Sequence, residues 1–209
     1  MKINRKGILT VVSGPSGAGK GTICKELLKN NENIKLSVSA TTRAPREGEK
    51  EGVNYYYKTH EEFKKMIEEG DLFEYAERYG NFYGTPKAAI MENLEKGQDV
   101  LLEIEMIGAL NVKKMCPDSV LIFVLPPSLE ELKRRLVGRG TETEEQIEKR
   151  FSMAYEEIQT LKEYDYFIIN EDVETAAKDI ESIIAAEKNK TERYKEAILK
   201  EFEEEYKKC

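Results

Sequence analysis

Ser13-Gly14-Pro15-Ser16-Gly17-Ala18-Gly19-Lys20-Gly21-Thr22 decides how the rest of the chain is read. Gly14, Gly19 and Lys20 stand at the spacing G-x-x-x-x-G-K, directly after the apolar run Ile8-Leu9-Thr10-Val11-Val12 and directly before a helical pattern opening near Lys20. The spacing alone recurs by chance; strand, glycine loop and helix together are the context of a phosphate-binding loop. Glycine lets the backbone curl with no side chain in the way, so successive N–H groups point inward at phosphate oxygens. The following helix adds its positive end, and Lys20 adds a mobile ammonium for the outer phosphates, a point charge rather than a fork. The bland alternative is a glycine turn joining a buried strand to a helix. On the sharper reading Gly14, Pro15, Ser16, Gly17, Ala18, Gly19, Lys20, Gly21 and Thr22 hold a nucleotide, with Mg2+ beside its phosphates. This loop ordinarily carries Ser or Thr after the lysine for magnesium, and here Gly21 stands there. Either Thr22, the next hydroxyl, or a water serves the ion.

Composition narrows the class. The 209 residues are 40% hydrophobic and 35% charged, which suits one globular domain with lobes. No apolar run approaches the roughly 20 residues that span a bilayer, and Met1 to Gly7 lacks a signal-peptide apolar region, so a cytoplasmic protein is expected. A net charge of −7 argues against broad nucleic-acid or anionic-membrane binding, which makes the placement of the arginines informative. Cys24, Cys116 and Cys209 are widely spaced with no neighbouring histidine, so free thiols are expected rather than disulfides or zinc. His60, the single histidine, opens a helix with the capping-box pattern Thr59-His60-Glu61-Glu62 and reads as a surface residue.

Downstream of the first helix, Leu36-Ser37-Val38-Ser39-Ala40-Thr41-Thr42-Arg43-Ala44-Pro45-Arg46 begins as a strand and ends as a loop. Pro45 stiffens that loop, so Arg43 and Arg46 face one anion with little entropy left to lose; the alternative is a solvated polar loop. Tyr55 to Tyr57 and Leu72 to Ala76 read as strands around a small helix ended by Gly70, and Glu74 then sits among apolar neighbours, where a carboxylate needs a partner. Asn81 to Pro86 reads as a turn into a helix from about Thr85 to Lys96. The buried strand Asp99 to Glu105 turns acidic at its carboxyl end, with Glu103 and Glu105 on one face by the period of two. Glu103 is a candidate for orienting magnesium waters from that strand end. After the strand Ser119 to Leu125, a glycine-hinged helical hairpin carries Arg134, Arg135, Arg139 and Arg150, either a mobile lid closing over phosphate or a solvated basic face. Tyr166 to Asn170 is the last core strand, and Val173 to Cys209 reads as one long charged helix.

Taken together, Gly14 to Lys20, Ser39 to Glu49, Asn81-Phe82-Tyr83-Gly84 and Arg139-Gly140-Thr141-Glu142-Thr143 resemble the guanylate kinase family in order and spacing, over nearly the whole chain to about residue 187. The resemblance implies an α/β fold: a P-loop parallel sheet flanked by helices (1–34, 89–127, 160–187), a small mixed GMP-binding lobe (35–88) and a helical lid (128–159), with 188–209 a charged tail. It implies ATP-dependent phosphorylation of GMP to GDP, with ATP and GMP as small-molecule partners. It also implies that Arg43, Arg46, Tyr55 and Tyr83 hold the GMP phosphate, that Ser39, Glu74, Thr85 and Glu105 read guanine, and that Lys20, Arg43, Arg135, Arg139 and Arg150 serve the transferred phosphoryl group. The chain departs from the family's usual residues at Glu105, commonly Asp, and at Thr85 and Gly21, often Ser. Two rival readings are another nucleoside monophosphate kinase, since Gly19-Lys20-Gly21-Thr22 also resembles the adenylate kinase loop, and a non-catalytic phosphopeptide-binding scaffold, which generally lacks an intact loop.

Overall fold

The computed structural model describes residues 5–78, 80–138 and 144–208. Five strands form a parallel core sheet in the order β2-β7-β1-β8-β9: β1 (Leu9–Ser13), β2 (Ile34–Leu36), β7 (Asp99–Glu103), β8 (Val120–Leu125) and β9 (Tyr166–Ile169). The three inner strands β1, β7 and β8 are short β-branched and leucine-rich runs buried on both faces, as a parallel sheet covered by helices requires, while the edge strands β2 and β9 are partly exposed. The period of two divides these side chains cleanly. Val12, Leu101, Ile122 and Ile168 join Ile23, Leu27, Ile180 and Ile184 from α1 (Lys20–Asn30) and α7 (Val173–Glu187). On the opposite face Leu9, Val11, Leu102 and Leu121 join Ile90, Leu94 and Val112 from α3 (Lys87–Glu95) and α4 (Met106–Met115).

A second sheet, β4-β3-β6-β5, is built from β3 (Ala40–Thr41), β4 (Tyr56–Tyr57), β5 (Leu72–Arg78) and β6 (Asn81–Pro86). Its small core is Ala40, Phe63 and Leu72, with Phe63 of α2 (His60–Glu68) stacked on Phe82 at 5.4 Å. The expected capping box opens α2: Thr59 accepts from Glu62 N–H and Glu62 accepts from Thr59 N–H. Two helices complete the domain, α5 (Leu129–Val137), capped by Ser128, and α6 (Glu144–Ile158), joined through Leu132, Leu136 and Ala154.

Four local expectations change. The run from Leu36 to Thr42 is two strands in different sheets, because the chain leaves the core after Ser37 N–H donates to Leu101 O at 2.9 Å. Asn81 to Pro86 is a strand rather than a turn, held by antiparallel pairing to both β3 and β5. β7 stops at Glu103, and Glu105 is the N-cap of α4, so the two carboxylates do not alternate along one strand. The long terminal helix is broken: α7 ends at Glu187, a short 3-10 turn spans Thr191–Arg193, and α8 (Lys195–Tyr206) follows.

That break has an electrostatic cause. Glu187, 3% exposed, accepts from Arg193 at 2.8 Å, from Tyr166 OH at 2.7 Å and from Lys190 at 3.1 Å, which folds the chain back on itself. Next to it Lys188 pairs at 2.6 Å with buried Asp99, which also accepts from Ile8 N–H. Cys24 and Cys116 are free thiols. Among the described residues no helix is long and apolar enough to cross a membrane.

Burial alone raises the Glu187 carboxyl, but the bonds from Arg193, Tyr166 and Lys190 outweigh it and hold it at about 2. A depressed carboxylate contributes stability above its unfolded pKa and loses it as pH falls through the folded value. Acid sensitivity of the urea midpoint is therefore expected between about pH 4.5 and 2, and Glu187→Gln flattens that window. Arg193→Ala, which leaves the buried carboxylate short of a partner, is expected to cost about 3 kcal/mol in urea unfolding at neutral pH.

Candidate active site

Parallel strands place the carboxyl ends of β1, β7, β8 and β9 on one side of the core sheet, where ligands of such sheets bind. The loop 14–19 leaves β1 there. Gly14, Gly17 and Gly19 have φ of 142°, 93° and 90°, the left-handed region that side chains avoid. A Cβ on Gly14 would stand 2.3 Å from the Val124 carbonyl, and one on Gly19 would stand 2.3 Å from Asn170 Nδ2. Gly17 lies against Leu132 and Leu136 of α5. No side chain caps α1, and while Thr22 N–H donates to Gly19 O at 3.1 Å, the amides of Lys20 and Gly21 are placed to meet an anion.

Lys20 folds over the loop, its Nζ donating to the carbonyls of Gly14 at 2.5 Å and Pro15 at 3.1 Å. Burial lowers its pKa, opposed by the nearby carboxylates of Glu103, Glu157 and Glu105. Arg135, half-buried, spans the outside of the loop: it donates to Ala18 O at 3.4 Å, to Asn170 O at 3.0 Å and to Glu131 at 2.7 Å. Asn170 adds a 2.7 Å bond to Ala18 O. Arg150 is half-buried on α6, and Arg139 lies outside the described residues.

Glu103, at the end of β7, extends over α1: a Cβ on Gly21 would stand 3.1 Å from its Oε1. Desolvation by its surroundings raises its carboxyl above the ordinary range, opposed by Lys20 and Lys25, and Thr22 is exposed one position beyond Gly21. Among the described residues no three His, Cys, Asp or Glu side chains cluster to hold a metal. The set here, one carboxylate and one hydroxyl near a phosphate cradle, fits Mg2+, which keeps waters and binds phosphate oxygens rather than a protein cage.

On the second sheet Arg43 is a crossroads. Its Nη2 donates to both Glu49 oxygens at 2.9 and 3.0 Å, its Nη1 donates to Ala44 O at 2.8 Å, and it lies 5.4 Å from the Tyr55 ring centre. Tyr55 meets Tyr83 edge-on at 6.0 Å. Glu49 also accepts from Arg46 N–H and Tyr57 OH, both at 2.8 Å. The bond from Arg43, then that from the Arg46 amide, holds the Glu49 carboxyl at about 2, while the Arg43 pKa is raised. The Arg46 side chain is exposed.

The remaining group centres on Glu74 of β5, which accepts from Thr85 OH at 2.6 Å. Burial pushes its carboxyl up, Thr85 pulls it down, and Glu105 pushes it up again. Ser39 sits half-buried before β3, its carbonyl accepting from Tyr56 N–H. The structure thus brings Lys20, Glu103 and Glu105 together, Arg43, Tyr55 and Tyr83 together, and Glu74, Thr85 and Glu105 together. Sequence reasoning assigned no role to Glu49 or Asn170. A carboxylate three residues from Arg46 was a signal for the first, and a polar residue ending a core strand was one for the second.

Architecture and loop define a P-loop α/β nucleotide-binding protein with an added small sheet. The family profile described as guanylate kinase matches residues 6–187. A guanylate kinase of Clostridioides difficile is 71% identical over 96% of this chain and 98% of its own. One of Caldanaerobacter subterraneus subsp. tengcongensis is 54% identical over 98% of this chain and 99% of its own. The crystal structure of guanylate kinase from Anaplasma phagocytophilum superposes with a TM-score of 0.72 at 41% identity, covering 89% of this chain and 88% of that one. The chain belongs to the guanylate kinase family.

Because Gly19 is both left-handed and in contact with Asn170, Gly19→Ala is expected to weaken ATP binding by about tenfold or more in calorimetry, given about 1–2 kcal/mol for the left-handed penalty alone.

Proposed function

We propose that this chain transfers the γ-phosphoryl group of ATP to GMP, and to dGMP, giving ADP and GDP or dGDP, in cytoplasmic purine nucleotide metabolism. The observation that carries the reading is the half-buried carboxylate of Glu74 held by Thr85 in the lobe that also bears Arg43, Tyr55 and Tyr83. Glu74 accepts from guanine's ring N–H and exocyclic amine, whereas adenine presents an acceptor at the ring position, so rejection is repulsive. Ser39 and Thr85 add hydroxyls around the base, and Glu105 approaches from α4.

Arg43 and Arg46, with the Tyr55 and Tyr83 hydroxyls, hold the acceptor phosphate, and the amides of 14–22 hold the donor's phosphates. Lys20, Arg135, Arg139 and Arg150 offset the charge that spreads over the equatorial oxygens as the group moves. Lys20 must first leave the carbonyls of Gly14 and Pro15. Glu103, with Thr22 or a water, would hold the shell of the Mg2+ that accompanies ATP, and the ion would supply charge neutralisation at the phosphates. No general base is required where positioning and charge stabilisation supply most of the acceleration.

A coupled ADP-release assay tests this. GMP and dGMP are expected to be turned over and AMP to be poorer by about 10⁴ in kcat/KM; comparable rates on AMP overturn the assignment. Arg43→Ala is expected to weaken GMP binding by about 1.5–3 kcal/mol, or roughly 10–150-fold, while Lys20→Ala lowers turnover more than GMP affinity.

A further inference from the structure

Gly108 lies buried in the first turn of α4, three residues after Glu105, and its backbone is helical. Nothing in its own conformation calls for glycine, and in a helix interior glycine is worse than alanine by about 1 kcal/mol. The surroundings explain it. The three atoms nearest a Cβ at this position all belong to Glu74: Oε2 at 2.9 Å, Cδ at 3.1 Å and Cγ at 3.3 Å. A methyl there strikes the carboxylate along its length, so rotating the terminal oxygens does not relieve it. The Glu74 side chain has to give by a few tenths of an ångström, which bends or lengthens the 2.6 Å bond from Thr85 OH to Oε1.

We infer that Gly108 is a positioning residue for base selection: its missing side chain lets the Glu74 carboxylate rest between the Thr85 hydroxyl and the α4 backbone, which fixes the edge offered to the acceptor base. The inference rests on the reading of Glu74 as the guanine acceptor. Local propensity and global use conflict at this one position, the pattern expected where function sets a residue. The carboxylate is thus confined by the Thr85 hydroxyl on one oxygen and by the α4 backbone against the other.

The experiment is Gly108→Ala in the full chain, alone and with Glu74→Ala, with KM for GMP and ATP and the preference for GMP over IMP measured in each. IMP keeps the ring N–H but lacks the exocyclic amine, so it reports on carboxylate placement. Gly108→Ala is expected to raise the GMP KM by about tenfold and lower the GMP-over-IMP ratio of kcat/KM by about tenfold, with the ATP KM changed less than about twofold. In the Glu74→Ala background the same substitution is expected to move the GMP KM by less than about twofold, because residues that act through one contact are not additive. If Gly108→Ala does not fold, the double variant is expected to fold, since the methyl then enters space that Glu74 has vacated. A GMP KM and a GMP-over-IMP ratio unchanged in Gly108→Ala, an equal loss in the Glu74→Ala background, or misfolding of both variants overturns the inference. Wild-type chain that fails to phosphorylate GMP in the same assay defeats the guanine reading, and the positioning claim falls with it. Wild-type activity with an indifferent Gly108→Ala defeats the positioning claim alone.

Discussion

A loop bare of side chains at Gly14 and Gly19, where it is pressed against a strand carbonyl and an asparagine amide, is the constraint from which the rest of this molecule follows. Gly14 must clear the Val124 carbonyl and Gly19 must clear Asn170, and both do so in left-handed conformations. Those contacts come from β8 and from the residue that ends β9, so the loop keeps its shape only while three neighbouring strands are in register. The parallel core is thus the mould of the loop as well as its support. Packing of β1 and β8 against helices on each side helps fix that register, because a slip of one residue would turn every fitted side chain to the opposite face.

The second organising fact is that Lys20, Arg135 and Arg43 are already engaged. Lys20 donates to two loop carbonyls, Arg135 joins Glu131 to Asn170, and Arg43 is bound by Glu49. A cluster of unpaired positive side chains would strain the folded state and attract anions indiscriminately. Here each has an internal partner that a phosphate has to displace or join, and several of those partners are main-chain carbonyls.

Much of this was legible in the sequence, because local chemistry and the global fold agree there. The loop, the strands around Val11, Leu101 and Ile122, the capping box at Thr59 and the cap at Ser128 all follow from short-range rules. What escaped depends on distant neighbours. Asn81, Gly84 and Pro86 carry turn signals, yet pairing on both sides makes their segment a strand. Glu105 continues the acidic alternation of β7 in sequence but belongs to the next helix. The bend after Glu187 requires Tyr166 and Arg193, and Gly108 acquires a meaning only once Glu74, far away in sequence, lies against it.

On the proposed reading, the ion pair between Arg43 and Glu49 makes phosphate binding on the second sheet a replacement reaction. Nη2 donates to both oxygens of a resident carboxylate, so a newcomer dianion using that edge gains only the margin by which its attraction exceeds the one surrendered. The evicted carboxylate does not go unsolvated, since the Arg46 amide and the Tyr57 hydroxyl still hold it. A monovalent ion such as chloride offers Arg43 a smaller attraction than a dianion does, so on the proposed reading the resident pair favours a phosphate over it.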